Sequence, residues 1–274
     1  MEKLKEKWKA VKKYMRYMRK KKKAYWIGCI ICVVTFVLLL ALLIGLLVSN
    51  GRQEEAEDVY SQLRGQKDTN IENGSSDDDN PLHRKNTIDF ENLICNDYPD
   101  MFAWIEIPGT QVDYPMVQHA TDDTYYLNHT IEGKSGLPGS IYTESIHPID
   151  MSATHTVVYG HNMINKTMFG SLHDYEEKGK IEENPYIYIY MPGETHLYQI
   201  FSAVGFSDTY LPNYLDYDNE EDFNQFIDEL KASNGHFNED VEVEYGDKIL
   251  TLSTCIRNHD NLRYLVTAVL IDEY

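Results

Sequence analysis

The sequence predicts a mainly β protein: an eight-stranded closed barrel with peripheral helices, preceded by a single N-terminal transmembrane helix. Three observations carry that expectation. Ile27–Val48 is an uncharged run of 22 residues. Eight short segments beyond residue 100 are rich in β-branched and aromatic residues and are parted by turn residues. Only two segments among those strands repeat their apolar residues at helical spacing.

The N-terminal part follows from charge and hydropathy. Residues 1–24 hold 12 Lys/Arg against Glu2 and Glu6, a net charge of +10, whereas the other 250 residues hold 13 basic and 42 acidic side chains. At about 1.5 Å per residue the Ile27–Val48 helix is roughly 33 Å long, enough to cross a hydrocarbon layer of about 30 Å. It exceeds the apolar stretch of a cleaved signal peptide and lacks a small-residue cleavage site, so a retained anchor is expected. The basic flank resists translocation and keeps the amino end cytoplasmic. Tyr25 and Trp26 take the interfacial positions. Four regions are expected: 1–24 as a basic cytoplasmic segment, 25–49 as the anchor, 50–86 as a polar extracellular stalk and 87–274 as the folded domain.

Within the stalk, Gln53–Arg64 reads as a polar juxtamembrane helix and Asp68–Asn80 as a solvated linker. Ile88, Phe90, Leu93 and Ile94 predict a short helix capped by Asn86 or Thr87, with Cys95 packed beside it. The predicted strands are Phe102–Ile107, Val112–Val117, Gly139–Thr143, His155–Tyr159, Tyr186–Tyr190, Leu197–Ser207, Lys248–Cys255 and Arg263–Ile271. Helices are expected at Met168–Asp174 and Asp222–Ala232, the latter with Phe223, Phe226, Ile227 and Leu230 on one packed stripe. There is no glycine-rich phosphate loop and no basic patch outside the membrane segment, which argues against nucleotide or nucleic-acid binding.

Of the four cysteines, Cys29 and Cys32 fall in the apolar span, where they read as small membrane residues rather than a redox pair. Cys95 and Cys255 remain for the exterior, where they could form a disulfide or leave Cys255 free as a nucleophile. Cys255 closes a strand just before the polar loop Arg257–Asn261, a place both rigid and accessible. An ordinary thiol titrates near about 8.5, so a nucleophilic one needs a neighbouring cation. His161 ends another strand, between Gly160 and Asn162, and is the candidate imidazole; most other histidines read as surface loop residues. Arg263 opens the last strand and is the candidate oxyanion donor, with Arg257 as the competitor.

Thr251-Leu252-Ser253-Thr254-Cys255 followed by Arg263 resembles the sortase signature, as does Tyr159-Gly160-His161-Asn162. Trp104–Thr110 with Tyr114–Gln118 resembles the opening hairpin of the sortase barrel, so the resemblance spans about residues 88–274. The two predicted helices at 88–94 and 222–232 resemble class B in particular. The resemblance implies Cys255 as nucleophile, His161 as general acid/base and Arg263 as the substrate and oxyanion residue, with Ser253, Thr254 and Asn162 as substrate-binding candidates. It implies cleavage of a C-terminal sorting motif after Thr, a thioacyl-enzyme, and transfer to an amine of a lipid-linked peptidoglycan precursor. The implied partners are secreted proteins bearing that signal, the precursor amine and membrane lipid; no cofactor, metal or nucleic acid is implied. Pilin polymerisation and a catalytically silent barrel that binds sorting peptides are the alternatives. Ile256 stands where some class B members have an acidic residue, so no carboxylate is assigned to His161, and Asp260 is a candidate.

Overall fold

A computed structural model describes residues 2–71, 80–209, 211 and 220–274. They form two units, residues 1–52 and 53–274. Residues 2–71 contain no proline and are assigned to helix α1 (Glu2–Ile71). In the first unit the apolar side chains of Ile27–Val48 are exposed. Among the described residues α1 alone is long and apolar enough to cross a membrane.

From Gln53 onward α1 belongs to the barrel unit. Ala56, Tyr60, Leu63 and Lys67 recur at helical spacing and are all buried. Lys67 Nζ reaches Glu106 Oε2 at 3.0 Å and Asp113 Oδ1 at 2.6 Å. The segment read as a polar stalk helix thus packs as part of the barrel unit. Its polarity is misleading because Ala56, Tyr60 and Leu63 form a buried stripe within it, and Lys67 just beyond sets its ammonium 5.6 Å over the Trp104 ring and pairs it with two carboxylates. The rest of the expected linker, residues 72–79, lies outside the described residues, as do 210 and 212–219 of the strand-connecting segment.

A short turn of helix, α2 (Phe90–Asn92), continues as a π turn over Leu93–Asp97. Its cap is Asp89, whose side chain accepts from the Asn92 N–H at 3.0 Å, rather than Asn86 or Thr87. The wider π turn leaves Phe90 and Leu93 inward and Cys95 exposed, not packed as expected.

The strands follow in order: β1 (Met101–Glu106), β2 (Asp113–Val117), β3 (Ile141–Tyr142), β4 (His155–Tyr159), β5 (Tyr186–Met191), β6 (Glu194–Ser207), β7 (Asn234–Phe237), β8 (Ile249–Ile256) and β9 (His259–Glu273). The hydrogen-bonded order β5-β1-β2-β3-β4-β8-β9-β6 returns to β5 through β5–β6 pairing, which closes an eight-stranded barrel. The ninth strand, β7, continues alongside the second half of β6 where β5 has ended. The β2–β3 and β4–β8 pairs are parallel and the others antiparallel.

Two cores result. One fills the barrel with Ile105, Met116, Val158, Leu250 and Leu252 and extends to Trp104 on the outer face of β1, beneath α1. The other lies under α4 (Glu220–Ala232), where Phe223, Phe226, Ile227 and Leu230 cover Val157, Ile249, Leu265 and Val269. Each such side chain contributes about 1.5–3 kcal/mol on burial. A four-residue helix, α3 (Lys180–Glu183), precedes β5. The expected helix Met168–Asp174 is a 3-10 segment at Gly170–Glu176. His147 and His196 are buried, against the expectation of surface loops, and His155, which opens the expected strand, is buried too. His155 and His196 lie in strands, whose pleat turns them inward.

Candidate active site

The β8 strand carries two faces. Leu250 and Leu252 enter the barrel core, whereas Ile249 packs beneath α4. Alternation places Thr251, Ser253 and Cys255 on the α4 side with Ile249. His155 Nε2 meets Thr251 Oγ1 at 2.7 Å on that face, and its ring lies against Phe226. Cys255 emerges at the end of this row, exposed and free. Cys95 is also free, so the disulfide reading does not hold.

Parallel β4 flanks β8 with Tyr159 opposite Ser253. The register continues beyond the strand: the Gly160 N–H donates to the Ser253 carbonyl at 3.2 Å. The Gly160 carbonyl accepts from Thr254 Oγ1 at 2.7 Å. A Cβ on Gly160 would fall 2.6 Å from Ile141 Cδ1 and 2.7 Å from the Phe169 ring, so only glycine lets the chain leave β4 this close to the barrel. His161 follows in the loop beyond β4, and the next residue, Asn162, donates to the Cys255 carbonyl at 2.8 Å. On the other side, Arg263 of β9 is the direct register partner of Cys255. Cys255 and Arg263 are thus paired on adjacent strands, about 4.8 Å apart, while His161 sits two residues past Tyr159 in the loop that leaves β4.

His161 Nε2 lies 2.6 Å from the Leu127 carbonyl. A carbonyl only accepts, so Nε2 keeps its hydrogen and Nδ1 is the atom free to exchange a proton. Backbone thus orients the imidazole; Asp260 is exposed, and its carbonyl accepts from Arg263 Nη1 at 3.1 Å. Gly139 backs this arrangement at φ +67, and a Cβ there would lie 2.7 Å from the Leu127 oxygen and 3.2 Å from His161 Cδ2. The Gly139 carbonyl in turn accepts from Tyr60 of α1 at 2.9 Å.

Arg263 is half-buried and also donates to the Leu262 carbonyl at 2.9 Å. The ladder slips between the Cys255–Arg263 and Ile256–His259 pairs, so Asp260–Leu262 bulge out of β9. Arg257, the competing arginine, donates to the Met163 carbonyl at 3.1 Å and ties the β8–β9 turn to the loop after His161.

Of the expected substrate-binding residues, Ser253 and Thr254 are buried, Thr254 being bonded to Gly160. Asn162 is half-buried and donates to the Cys255 carbonyl at 2.8 Å. Sequence reasoning missed Leu127, which acts through its backbone, and Tyr142. Tyr142 stacks on Tyr159 with centroids 5.5 Å apart, and its phenol is pushed up by burial first, then by Glu144 and Cys255. It also missed His173, whose Nε2 lies 3.1 Å from the Cys255 carbonyl. Among the described residues no cluster of three His, Cys, Asp or Glu side chains forms a metal cage.

A thiol, an imidazole oriented through one nitrogen and a guanidinium carried by neighbouring elements have the chemistry required for acyl transfer. Comparison with known proteins points the same way. The sortase domain family matches residues 105–271. Sortase B of Staphylococcus aureus is 34% identical over 158 residues, covering 57% of this chain and 63% of that protein. The chain therefore spans under two-thirds of that relative's length. The crystal structure of Clostridium perfringens sortase B superposes with TM-score 0.60 at 31% identity, over 66% of this chain and 99% of the other. A Staphylococcus aureus sortase B–substrate complex gives TM-score 0.66 at 28% identity, over 80% and 97%.

Proposed function

The chain belongs to the sortase family of cysteine transpeptidases, and from that premise we propose that it is a class B sortase with Cys255 as nucleophile. The reading is carried by the Cys255–Arg263 register pair of β8 and β9, together with the loop after β4, whose Asn162, next to His161, reaches the Cys255 carbonyl at 2.8 Å.

In the proposed reaction the Cys255 thiolate attacks the Thr carbonyl carbon of a sorting peptide. The oxyanion forms on the Arg263 side, where guanidinium N–H groups not used on Asp260 and Leu262 stabilise it. The C–N bond breaks, and the departing amine takes its proton from His161 Nδ1, leaving a thioester on Cys255. An incoming amine of a lipid-linked wall precursor then attacks the thioester, gives its proton to Nδ1 and releases Cys255. The acceptor becomes joined to the Thr carbonyl by an amide, and the enzyme is restored.

Ile27–Val48 anchors the chain, with residues 1–24 on the cytoplasmic side and the acidic barrel outside. The charge asymmetry supports that orientation. Thr254 acts by holding β4 to β8, since its hydroxyl is bonded to Gly160.

The test is transpeptidation by the full chain in detergent, using a Thr-containing sorting-peptide library and amines of wall-precursor type. Mass spectrometry should find cleavage after Thr and a new amide to the amine. A library left intact, or cleaved identically by the Cys255→Ala chain, contradicts the reading.

A further inference from the structure

The loop that carries His161 beside Cys255 returns to the cysteine a second time. Its 3-10 segment, Gly170–Glu176, brings His173 under the Cys255 main chain. His173 Nδ1 lies 2.6 Å from Glu176 Oε1, and Nε2 lies 3.1 Å from the Cys255 carbonyl and 2.8 Å from Asn162 Nδ2. Asn162 Nδ2 also donates to the same carbonyl at 2.8 Å. The imidazole stacks on Tyr264 of β9, with centroids 4.8 Å apart and planes at 22°. His236 of β7 reaches the Glu176 carbonyl at 3.0 Å, which seats the end of the segment.

The donor bookkeeping is complete. A carboxylate oxygen only accepts, so Nδ1 carries a hydrogen for Glu176. With the ring neutral, Nε2 accepts one Asn162 N–H while the other goes to the Cys255 carbonyl. With the ring charged, the Nε2–H itself donates to that carbonyl. Either way a side chain fixed by a carboxylate and an aromatic face restrains the peptide unit of Cys255. That peptide unit lies at the register shift between Cys255 and Ile256 and beyond the last β4–β8 pair, Tyr159–Ser253, so β4 does not secure it by regular strand pairing.

We propose that His173, oriented by Glu176, is a positioning residue that holds the Cys255 carbonyl together with Asn162 and so fixes the direction of the thiol. The inference rests on Cys255 being the nucleophile. His173 does not reach the reacting atoms; its effect is on the alignment of sulfur with the substrate carbonyl, which appears in kcat rather than in KM.

The experiment measures kcat and KM of the full chain for one fluorogenic peptide, the member of a Thr-containing library that the parent cleaves fastest. It compares the parent with H173F, H173Q, E176A and E176Q. Phe keeps the stack on Tyr264 and removes both nitrogens; Gln restores a polar group near the Nε2 position. H173F should lose about tenfold in kcat with KM within about twofold, and H173Q should recover most of it. E176A should fall about threefold in kcat and E176Q should recover it. Glu176 has a side chain 57% exposed, so E176A and E176Q decide the matter should H173F fail to fold. A kcat unchanged in folded H173F or in E176A, or a loss that neither conservative variant recovers, overturns the inference. A parent chain that cleaves no library member overturns the nucleophile reading, and the inference falls with it.

Discussion

Cys255 and Arg263 are register partners across β8 and β9, and the ladder beyond them is broken by the Asp260–Leu262 bulge. The pairing fixes two backbone positions at the distance of adjacent strands, while the bulge releases the side chains from a regular sheet edge. A long, planar, always charged side chain at that position can reach over the thiol without moving the strand.

Arg263→Ala should lower kcat/KM by about 10²–10³-fold, the usual cost of an oxyanion donor. Arg263→Lys should recover only part, because a point charge does not reproduce the fork of N–H groups. Steady-state cleavage of a sorting peptide measures both. An Arg263→Ala chain within twofold of the parent would remove Arg263 from the mechanism.

Gly139→Ala tests how His161 is held. The new Cβ would enter at φ +67 and collide with the Leu127 carbonyl that orients the imidazole. Stability should fall by about 1–3 kcal/mol, and kcat should fall with it. Denaturant unfolding and kinetics on the same preparation check both effects. Unchanged kcat would show that the Leu127 contact does not matter to turnover.

Lys67→Ala tests the packing of α1 on the barrel. It would leave Glu106 and Asp113 without the ammonium that bonds both, although Arg84 and Trp104 still donate to them. Burial already pushes the Asp113 carboxyl up, with Lys67 the main opposing influence. The loss should be about 3 kcal/mol by denaturant unfolding. A chain starting at Thr87 should likewise be less stable than one starting at Gln53. Equal stability would mean that α1 is only a tether.

The stability of the barrel should depend on pH through His147. Burial lowers its pKa from 6.5 to about 4, against a smaller opposite effect of Asp123. Its Nε2 accepts from the Val157 N–H at 3.3 Å, which a protonated ring cannot do. The unfolded chain binds a proton below 6.5 and the folded chain only near 4. The contribution is therefore complete above pH 6.5 and is lost as pH falls through 4, about 3 kcal/mol in all. The melting temperature of the parent should drop more steeply across that window than that of His147→Asn. Parallel curves would contradict this assignment.

The barrel was legible because its strands alternate and are punctuated; all eight ring strands overlap their expected segments. The ninth was not, since Asn234-Gly235-His236-Phe237 has neither β-branched residues nor an apolar face and pairs only with β6. Cys255, His161 and Arg263 stood out because each borders the end of an expected strand, where rigidity meets access; the observed β9 begins earlier, at His259, so Arg263 lies within it. Leu127 did not, because a carbonyl contact 34 residues away leaves no trace in residue type. His173 fell within the expected helix Met168–Asp174 and Glu176 just beyond it, with nothing to single them out. Their relation to Cys255 depends on a loop folding back over β8, and local pattern does not encode that. Tyr60 and Lys67 were hidden in a polar context whose burial depends on partners far along the chain.

The most direct test of the account is to trap the acyl-enzyme. The full chain, incubated briefly with a cleavable Thr-containing peptide and quenched in acid, should gain the mass of the fragment ending in Thr, less one water. Peptide mapping should place it on Cys255, and hydroxylamine should release it. Cys255→Ala should show neither adduct nor cleavage. Cleavage undiminished in Cys255→Ala, or an adduct that maps to Cys95 instead, would contradict the account.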